Sequence, residues 1–154
     1  MKRGGIFITS ILSIFLLLIG CATTGIEDYE PKSPDEEAIV SLMSKWKETW
    51  NSGNVQGNLD LWHDDVKIMY GAGRYGGGSI SATYEEAKTA LPGEMASWGR
   101  IKLGTPKINS SGKEANVEIF VIITEGPHTK YNWLFTFDLA KENNQWLIMG
   151  WKFS

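Results

Sequence analysis

The chain has 154 residues and a formal net charge of −3, with no block of cationic residues. A mildly acidic chain of this kind is a poor candidate for binding nucleic acid or an anionic membrane surface through charge. Once the leader described below is set aside, the remainder is long enough for one sizeable core and too short for two domains.

The first residues predict a secretory signal. Met1-Lys2-Arg3 is basic, and the apolar stretch from Ile11 to Ile19 is too short for a stable membrane-spanning helix. The signal ends in Leu18-Ile19-Gly20-Cys21, which resembles the lipobox of bacterial lipoproteins, in which the signal is cut before the cysteine and the thiol takes a diacylglycerol. Cys21 is the only cysteine of the chain, so it has no partner for an internal disulfide. An ordinary cleaved signal with an unrelated cysteine is the alternative.

The residues around the cleavage site predict where the protein resides. Ala22 is not the aspartate that holds many Gram-negative lipoproteins at the inner membrane, so the lipobox resemblance implies an outer-membrane anchor facing the periplasm, in a source that has an outer membrane. After a signal peptide at residues 1–20, residues 21–32 are small, polar and acidic, which predicts a lipid-anchored tether. The single domain is then expected over residues 33–154.

Two helices are predicted at the start of this domain. In the first, Ser33 caps the helix, Pro34 takes the first position and Glu36 completes a capping box, and the helix ends before Gly53. Its apolar stripe has helical spacing and faces the core; it comprises Ile39, Leu42, Met43, Trp46 and Trp50. A shorter second helix, with Asn54 as its cap, carries Val55, Leu59 and Trp62 on one face.

A strand and a third helix follow. The turn His63-Asp64-Asp65 precedes a strand in which Val66, Ile68 and Tyr70 alternate with Lys67 and Met69. A glycine-rich loop, residues 71–78, comes next. The third helix is capped by Thr83 and is expected to end near Leu91, before Pro92-Gly93.

The rest of the domain is predicted to be β. Strands are expected over residues 100–108, 114–124, 129–139 and 145–153, with turns at 109–112 and 142–144. In the third of these strands Tyr131, Trp133, Phe135, Phe137 and Leu139 share one face. Three helices followed by an antiparallel meander make an α+β domain.

Several stretches resemble the NTF2-like family, in particular its SnoaL-like and DUF4440-like branches. These are Trp46–Asn54 at the end of the first helix, Leu61–Val66 at the step into the first strand, and Phe135–Phe137 with Gln145–Ile148 in the closing hairpin. The resemblance implies a cone in which three N-terminal helices pack on a curved, mostly antiparallel sheet. It also implies a homodimer that pairs through the open sheet face, which carries Leu134. Because this fold hosts isomerases, dehydratases, transport factors and binding modules, it does not imply one function.

The resemblance can be tested against ketosteroid isomerase-like chemistry, which needs a carboxylate base and two buried donors. The first-helix tyrosine of that chemistry matches Trp46 here, the base falls near Met69 or Tyr70, and the second donor falls near Trp133. None of these positions carries a carboxylate, and an indole cannot act as a base near neutral pH.

The sequence therefore favours a binding module over an enzyme. The expected contacts with a small, flat or apolar ligand are Trp46, Trp50, Tyr70, Trp98, His128 and Trp133. No catalytic set, metal site or cofactor is predicted, because His63-Asp64-Asp65 fits a turn better than a metal site and the glycine-rich loop fits neither phosphate-binding fingerprint. A SnoaL-like or ketosteroid isomerase-like enzyme acting on a small hydrophobic substrate is the alternative.

Overall fold

A computed structural model of the chain describes residues 25–70, 80–126, 129 and 132–153, with backbone alone at 68–70 and 80–81. The predicted signal, Cys21, the glycine-rich loop and His128 lie outside these residues. Among the helices described, none is long and apolar enough to cross a membrane.

Three helices, α1 (Pro34–Ser52), α2 (Val55–Leu59) and α3 (Tyr84–Trp98), precede most of the sheet. The predicted start and end of α1 are confirmed: the Ser33 hydroxyl accepts the Glu36 N–H at 3.1 Å, and Gly53 adopts the left-handed conformation with φ of 66°. The predicted capping box does not form, because the Glu36 carboxylate accepts the Lys32 N–H at 2.8 Å in place of the Ser33 N–H. This contact lies one residue before the cap, so Glu36 holds the chain that enters the helix.

The seven strands found among the described residues form one sheet. They are β1 (Trp62–Tyr70), β2 (Ile80–Ala82), β3 (Ile101–Leu103), β4 (Lys107–Ser111), β5 (Glu114–Ile123), β6 (Asn132–Glu142) and β7 (Gln145–Phe153). Their order is β2-β1-β7-β6-β5-β3, with β4 also paired to β5. Only β1 and β7 are parallel among these pairs. The prediction of an α+β domain with a mostly antiparallel sheet is confirmed.

Two boundaries near β1 differ from the sequence prediction. Trp62 begins β1 and does not extend α2, and His63-Asp64-Asp65 lies within β1 and is not a turn. Pairing with a distant strand places Trp62 in β1, because Trp62 lies opposite Ile148 of β7, whose N–H donates to the Leu61 carbonyl at 2.9 Å. The next residue of β1 that pairs with β7 is Lys67, opposite Gly150, so His63-Asp64-Asp65 lies in a stretch of β1 where the register shifts, as in a β-bulge.

The helix α3 is longer than predicted. It passes through Pro92 and Gly93 and ends at Trp98, where the Gly99 N–H donates to the Met95 carbonyl at 3.2 Å. Proline inside a helix removes one backbone hydrogen bond and costs stability. Burial of Leu91 and Met95 on the sheet offsets that cost.

The strand expected over residues 100–108 is two strands, β3 and β4, both paired to β5. Pro106 lies in the break, and it has no N–H to continue a ladder. The turn after β4 is also tighter than predicted, because strand pairing extends to Ser111 opposite Glu114. The short strand β2 was not predicted.

The core lies between the helices and one face of the sheet. Alternate residues of β5 are buried, from Ala115 to Ile123, and so are Phe135, Phe137 and Leu139 of β6. The predicted apolar face of β6 is thereby confirmed for its described members. The other face of the sheet carries the intervening residues and is here called the outer face.

The packed domain begins before the predicted boundary at Ser33. Gly25 forms an antiparallel bridge with Gly104, and Ile26 is 1% exposed in the core. Glu27 forms an ion pair with Lys47 of α1. The predicted tether therefore lies against the domain from Gly25 onward.

Candidate ligand-binding site

Seven aromatic side chains form a cluster on the buried face of the sheet, and ring contacts continue beyond it from Phe137 to Trp151, whose centroids lie 6.0 Å apart. This aromatic cluster comprises Trp46, Trp50, Trp98, Trp133, Phe135, Phe137 and Phe153. Ring centroids lie 5.4 Å apart for Trp46 and Trp50, 6.1 Å for Trp50 and Trp98, and 6.2 Å for Trp98 and Trp133. These distances fall within the range in which aromatic rings attract each other.

Each ring is placed by the period of its element. Trp46 and Trp50 are four residues apart on α1, so they lie one above the other on the buried stripe. Trp133, Phe135 and Phe137 alternate along β6 and point to one face. Strand pairing sets Phe153 opposite Phe135, with their rings stacked at 5.2 Å.

Burial changes along the cluster. Trp46, Trp50, Phe135 and Phe137 are buried, the first of them to 1% exposure. In contrast, Trp98, Trp133 and Phe153 are half-buried, and their centroids lie 5.5 to 6.2 Å from one another. We call these last three rings the aromatic rim, because the cluster reaches the surface there.

The two buried indoles of the cluster differ in hydrogen bonding. The Trp50 N–H donates to the Gly99 carbonyl at 3.1 Å, which ties α1 to the residue that follows α3. The Trp46 N–H is buried and has no acceptor among the residues that the structure describes. A buried donor without a partner costs about 1–3 kcal/mol, so ring packing must hold Trp46 in place.

The structure brings four of the six predicted ligand contacts into the cluster: Trp46, Trp50, Trp98 and Trp133. Tyr70 ends β1, one residue beyond Met69, which lies opposite Lys152 of β7. The side chain of Tyr70 and all of His128 lie outside the described residues. Sequence reasoning missed Phe153, although its spacing from Trp151 on β7 was the available signal.

His63 has two polar neighbours. Its Nδ1 accepts the Asp65 N–H at 3.0 Å, and its Nε2 lies 3.3 Å from a carboxylate oxygen of Glu142. His63 thus joins the start of β1 to the turn between β6 and β7. In the part of the chain that the structure describes, no three His, Cys, Asp or Glu residues converge as they would around a metal ion.

The buried polar residues of the described chain are few and are hydrogen-bonded within the fold. They are Thr49 and Asn58. Asn58 donates to the Trp46 carbonyl at 3.2 Å and to the Thr49 hydroxyl at 2.8 Å, and it accepts the Trp62 N–H at 3.2 Å. Asn58 therefore links α1, α2 and β1, and it was not singled out by the sequence.

An open groove of about 1070 Å³ follows the β3 edge of the sheet. It is lined by residues from the N-terminal segment, β3 and β5, among them Gly25, Lys102, Gly104 and Phe120. Two ion pairs border it, Lys47 with Glu27 and Arg100 with Glu125. No ring of the aromatic cluster lines this groove.

Solved structures identify the fold, whereas no family model and no curated protein matches the chain. An NTF2-like protein of unknown function from Shewanella oneidensis has a TM-score of 0.65 at 19% identity, over 78% of this chain and 98% of its own. One from Shewanella baltica has a TM-score of 0.63 at 14% identity, over 82% and 97%. A Novosphingobium aromaticivorans protein, named provisionally as a scytalone dehydratase, has a TM-score of 0.60 at 17% identity, over 77% and 82%. The chain therefore has the NTF2-like fold that its sequence motifs implied.

Proposed function

We propose that the protein is a lipid-anchored module of the bacterial cell envelope that binds a small, flat, apolar ligand at the aromatic rim. The observation that carries this proposal is the change in burial along the aromatic cluster. Its inner rings are closed off, whereas Trp98, Trp133 and Phe153 lie half-buried and in mutual contact. A ligand that stacks on these rings would complete their burial.

The rim is held by rigid parts of the fold. Trp98 is the last residue of α3, while Trp133 and Phe153 belong to neighbouring long strands. Rings fixed in this way lose little conformational entropy when a ligand binds. Each added aromatic contact contributes about 0.5–1.5 kcal/mol beyond area burial, which favours flat ligands over branched ones.

Binding is favoured over catalysis because of the groups that surround the cluster. Proton transfer requires a titratable side chain within hydrogen-bond reach of the ligand. Among the described buried residues the polar ones are Thr49 and Asn58, and both are already hydrogen-bonded within the fold. The name of the Novosphingobium neighbour keeps a dehydratase as the second candidate function.

Membrane anchoring through Cys21 is the second part of the proposal, and it rests on the lipobox and the lone cysteine. A fatty-acid probe fed to cells should label the wild-type protein and should fail to label Cys21→Ser. Equal labelling of both proteins would reject the anchor.

Ligand binding can be followed by the protein's own tryptophan fluorescence. A library of aromatic and lipid-like metabolites should quench or shift the emission of the wild-type protein, and Trp133→Leu should lose that response. Trp146→Phe is the matched control, because Trp146 is a buried indole outside the aromatic cluster. If folded Trp133→Leu responds as the control does, the ligand does not bind at the rim. If no compound changes the emission of the wild type, the proposal of an apolar ligand fails.

A further inference from the structure

The outer face of the sheet carries an apolar patch in which Phe120 is exposed and Ile122 and Leu134 are half-buried. Phe120 of β5 is 50% exposed, whereas the other large hydrophobic side chains described are buried or partly buried. Leu134 lies directly opposite it on β6, and Ile122 follows it on the same face of β5. We call Phe120, Ile122 and Leu134 the outer patch.

Gly25 lies close to this patch. Gly25 forms a bridge with Gly104, and the Gly104 N–H donates to the Phe120 carbonyl at 2.9 Å. Gly25 and Phe120 are thus two strand spacings apart, about 10 Å. Both residues line the groove along the β3 edge.

The number of residues between Cys21 and Gly25 limits how far Gly25 can lie from a membrane in which Cys21 is anchored. Cys21 is four positions before Gly25, and four fully extended residues span at most about 14 Å. A domain of this size is about 35 Å across. The stretch from Cys21 to Gly25 is therefore shorter than the width of the domain. A lipid on Cys21 would keep Gly25, and the part of the domain around it, near the bilayer. This step rests on the lipid anchor proposed above.

We propose that the outer patch docks on the phospholipid surface in which Cys21 is anchored, with the Phe120 ring inserted at the boundary between headgroups and acyl chains. An exposed aromatic ring with aliphatic neighbours is suited to that boundary. Of the acidic side chains near the patch, Glu27 pairs with Lys47, Glu118 with Lys107 and Glu125 with Arg100, which reduces their net negative charge. Asp28 accepts the Gly25 N–H and has no cationic partner among the ion pairs of the described residues. Lys102 lies opposite Ile122 and adds a cation at the edge of the patch.

The proposal can be tested in whole cells with the full chain. A photocrosslinking residue, benzoylphenylalanine, replaces Phe120 in one variant and Leu134 in another. Thr89, exposed on α3, takes the same replacement as the matched control. The cells are grown with radioactive phosphate, which labels phospholipids but not the diacylglycerol attached to Cys21. Positions 120 and 134 should give phosphate-labelled adducts several-fold above position 89.

The other outcomes overturn docking on the membrane. A crosslinked dimer of the chain at positions 120 and 134 would assign the patch to the homodimer implied by the family resemblance. Adducts equal to those at position 89 would show that the patch faces water. The fatty-acid probe, measured on the same samples, separates the lipid anchor from the docking of the outer patch. A chain that is labelled at Cys21 but gives no phospholipid adducts rejects the docking alone. A chain that the probe does not label rejects both proposals.

Discussion

The hydrogen bonds of Asn58 give a quantitative test of how the helices are joined to the sheet. Asn58 is fully buried. Its amide donates to the Trp46 carbonyl and the Thr49 hydroxyl, and it accepts the Trp62 indole N–H. Asn58→Ala removes these bonds and leaves the buried Trp62 N–H without an acceptor. An unpaired buried donor and a small cavity together should lower the free energy of unfolding by about 2–4 kcal/mol.

A double-mutant cycle separates the hydrogen bond from the lost volume. Asn58→Leu keeps most of the volume but leaves the Trp62 N–H unpaired, and Trp62→Phe removes that N–H. The double variant should be more stable than the two single losses predict, by about 1–2 kcal/mol. The cause is that the second substitution removes the group that the first left unsatisfied.

The assay is urea unfolding followed by far-ultraviolet circular dichroism, which does not depend on the altered indole. Asn109→Ala is the control, because Asn109 is exposed on β4. Its unfolding free energy should stay within about 0.5 kcal/mol of the wild type. A cycle that closes additively would refute the reasoning, since the contact between Asn58 and Trp62 would then contribute nothing of its own.

Two further predictions concern the segment before α1. Ile26→Ala should lower the free energy of unfolding by about 2–5 kcal/mol because Ile26 is 1% exposed, whereas Glu30→Ala should have little effect. Equal urea midpoints for the two variants would show that the segment contributes little to the core. The pKa of Glu36 lies below its usual 4.5, because the Lys32 N–H and then the Tyr29 hydroxyl donate to its carboxylate. A depressed pKa stabilises the fold above the unfolded value, so stability should fall as pH drops through the folded pKa, and Glu36→Gln should show a shallower loss in acid titrations followed by circular dichroism.

The sequence predicted the elements whose signals are local. The start and end of α1 follow from Ser33, Pro34 and Gly53, each of which acts within one helical turn. The limits of β1 and α3 were wrong because distant contacts decide them. Pairing with β7 extends β1 back to Trp62, and burial of Met95 on the sheet carries α3 past Pro92.

The sequence predicted part of the aromatic cluster, but it predicted neither the place of Phe153 in the cluster nor the depth of each ring. Helical spacing placed Trp46 and Trp50 on one stripe, and alternation placed Trp133 on the buried face of β6. The spacing of side chains within one helix or strand does not show which rings of different elements come into contact or which reach the surface. These contacts depend on the pairing of β6 with β7, which brings Phe153 beside Trp133 with their ring centroids 5.5 Å apart.

The structure gives a physical reason why Trp46 would not serve as the donor that the isomerase comparison requires at this position. Its N–H is a hydrogen-bond donor, but the ring is enclosed by Trp50, Phe135 and Phe137 at 5.1 to 6.2 Å. Each of these contacts contributes about 0.5–1.5 kcal/mol beyond burial, which together offsets the roughly 1–3 kcal/mol lost by an unpaired buried N–H. A side chain stabilised in this way can remain buried without a ligand. A ligand would then be bound by the half-buried rings of the aromatic rim, whose burial is incomplete.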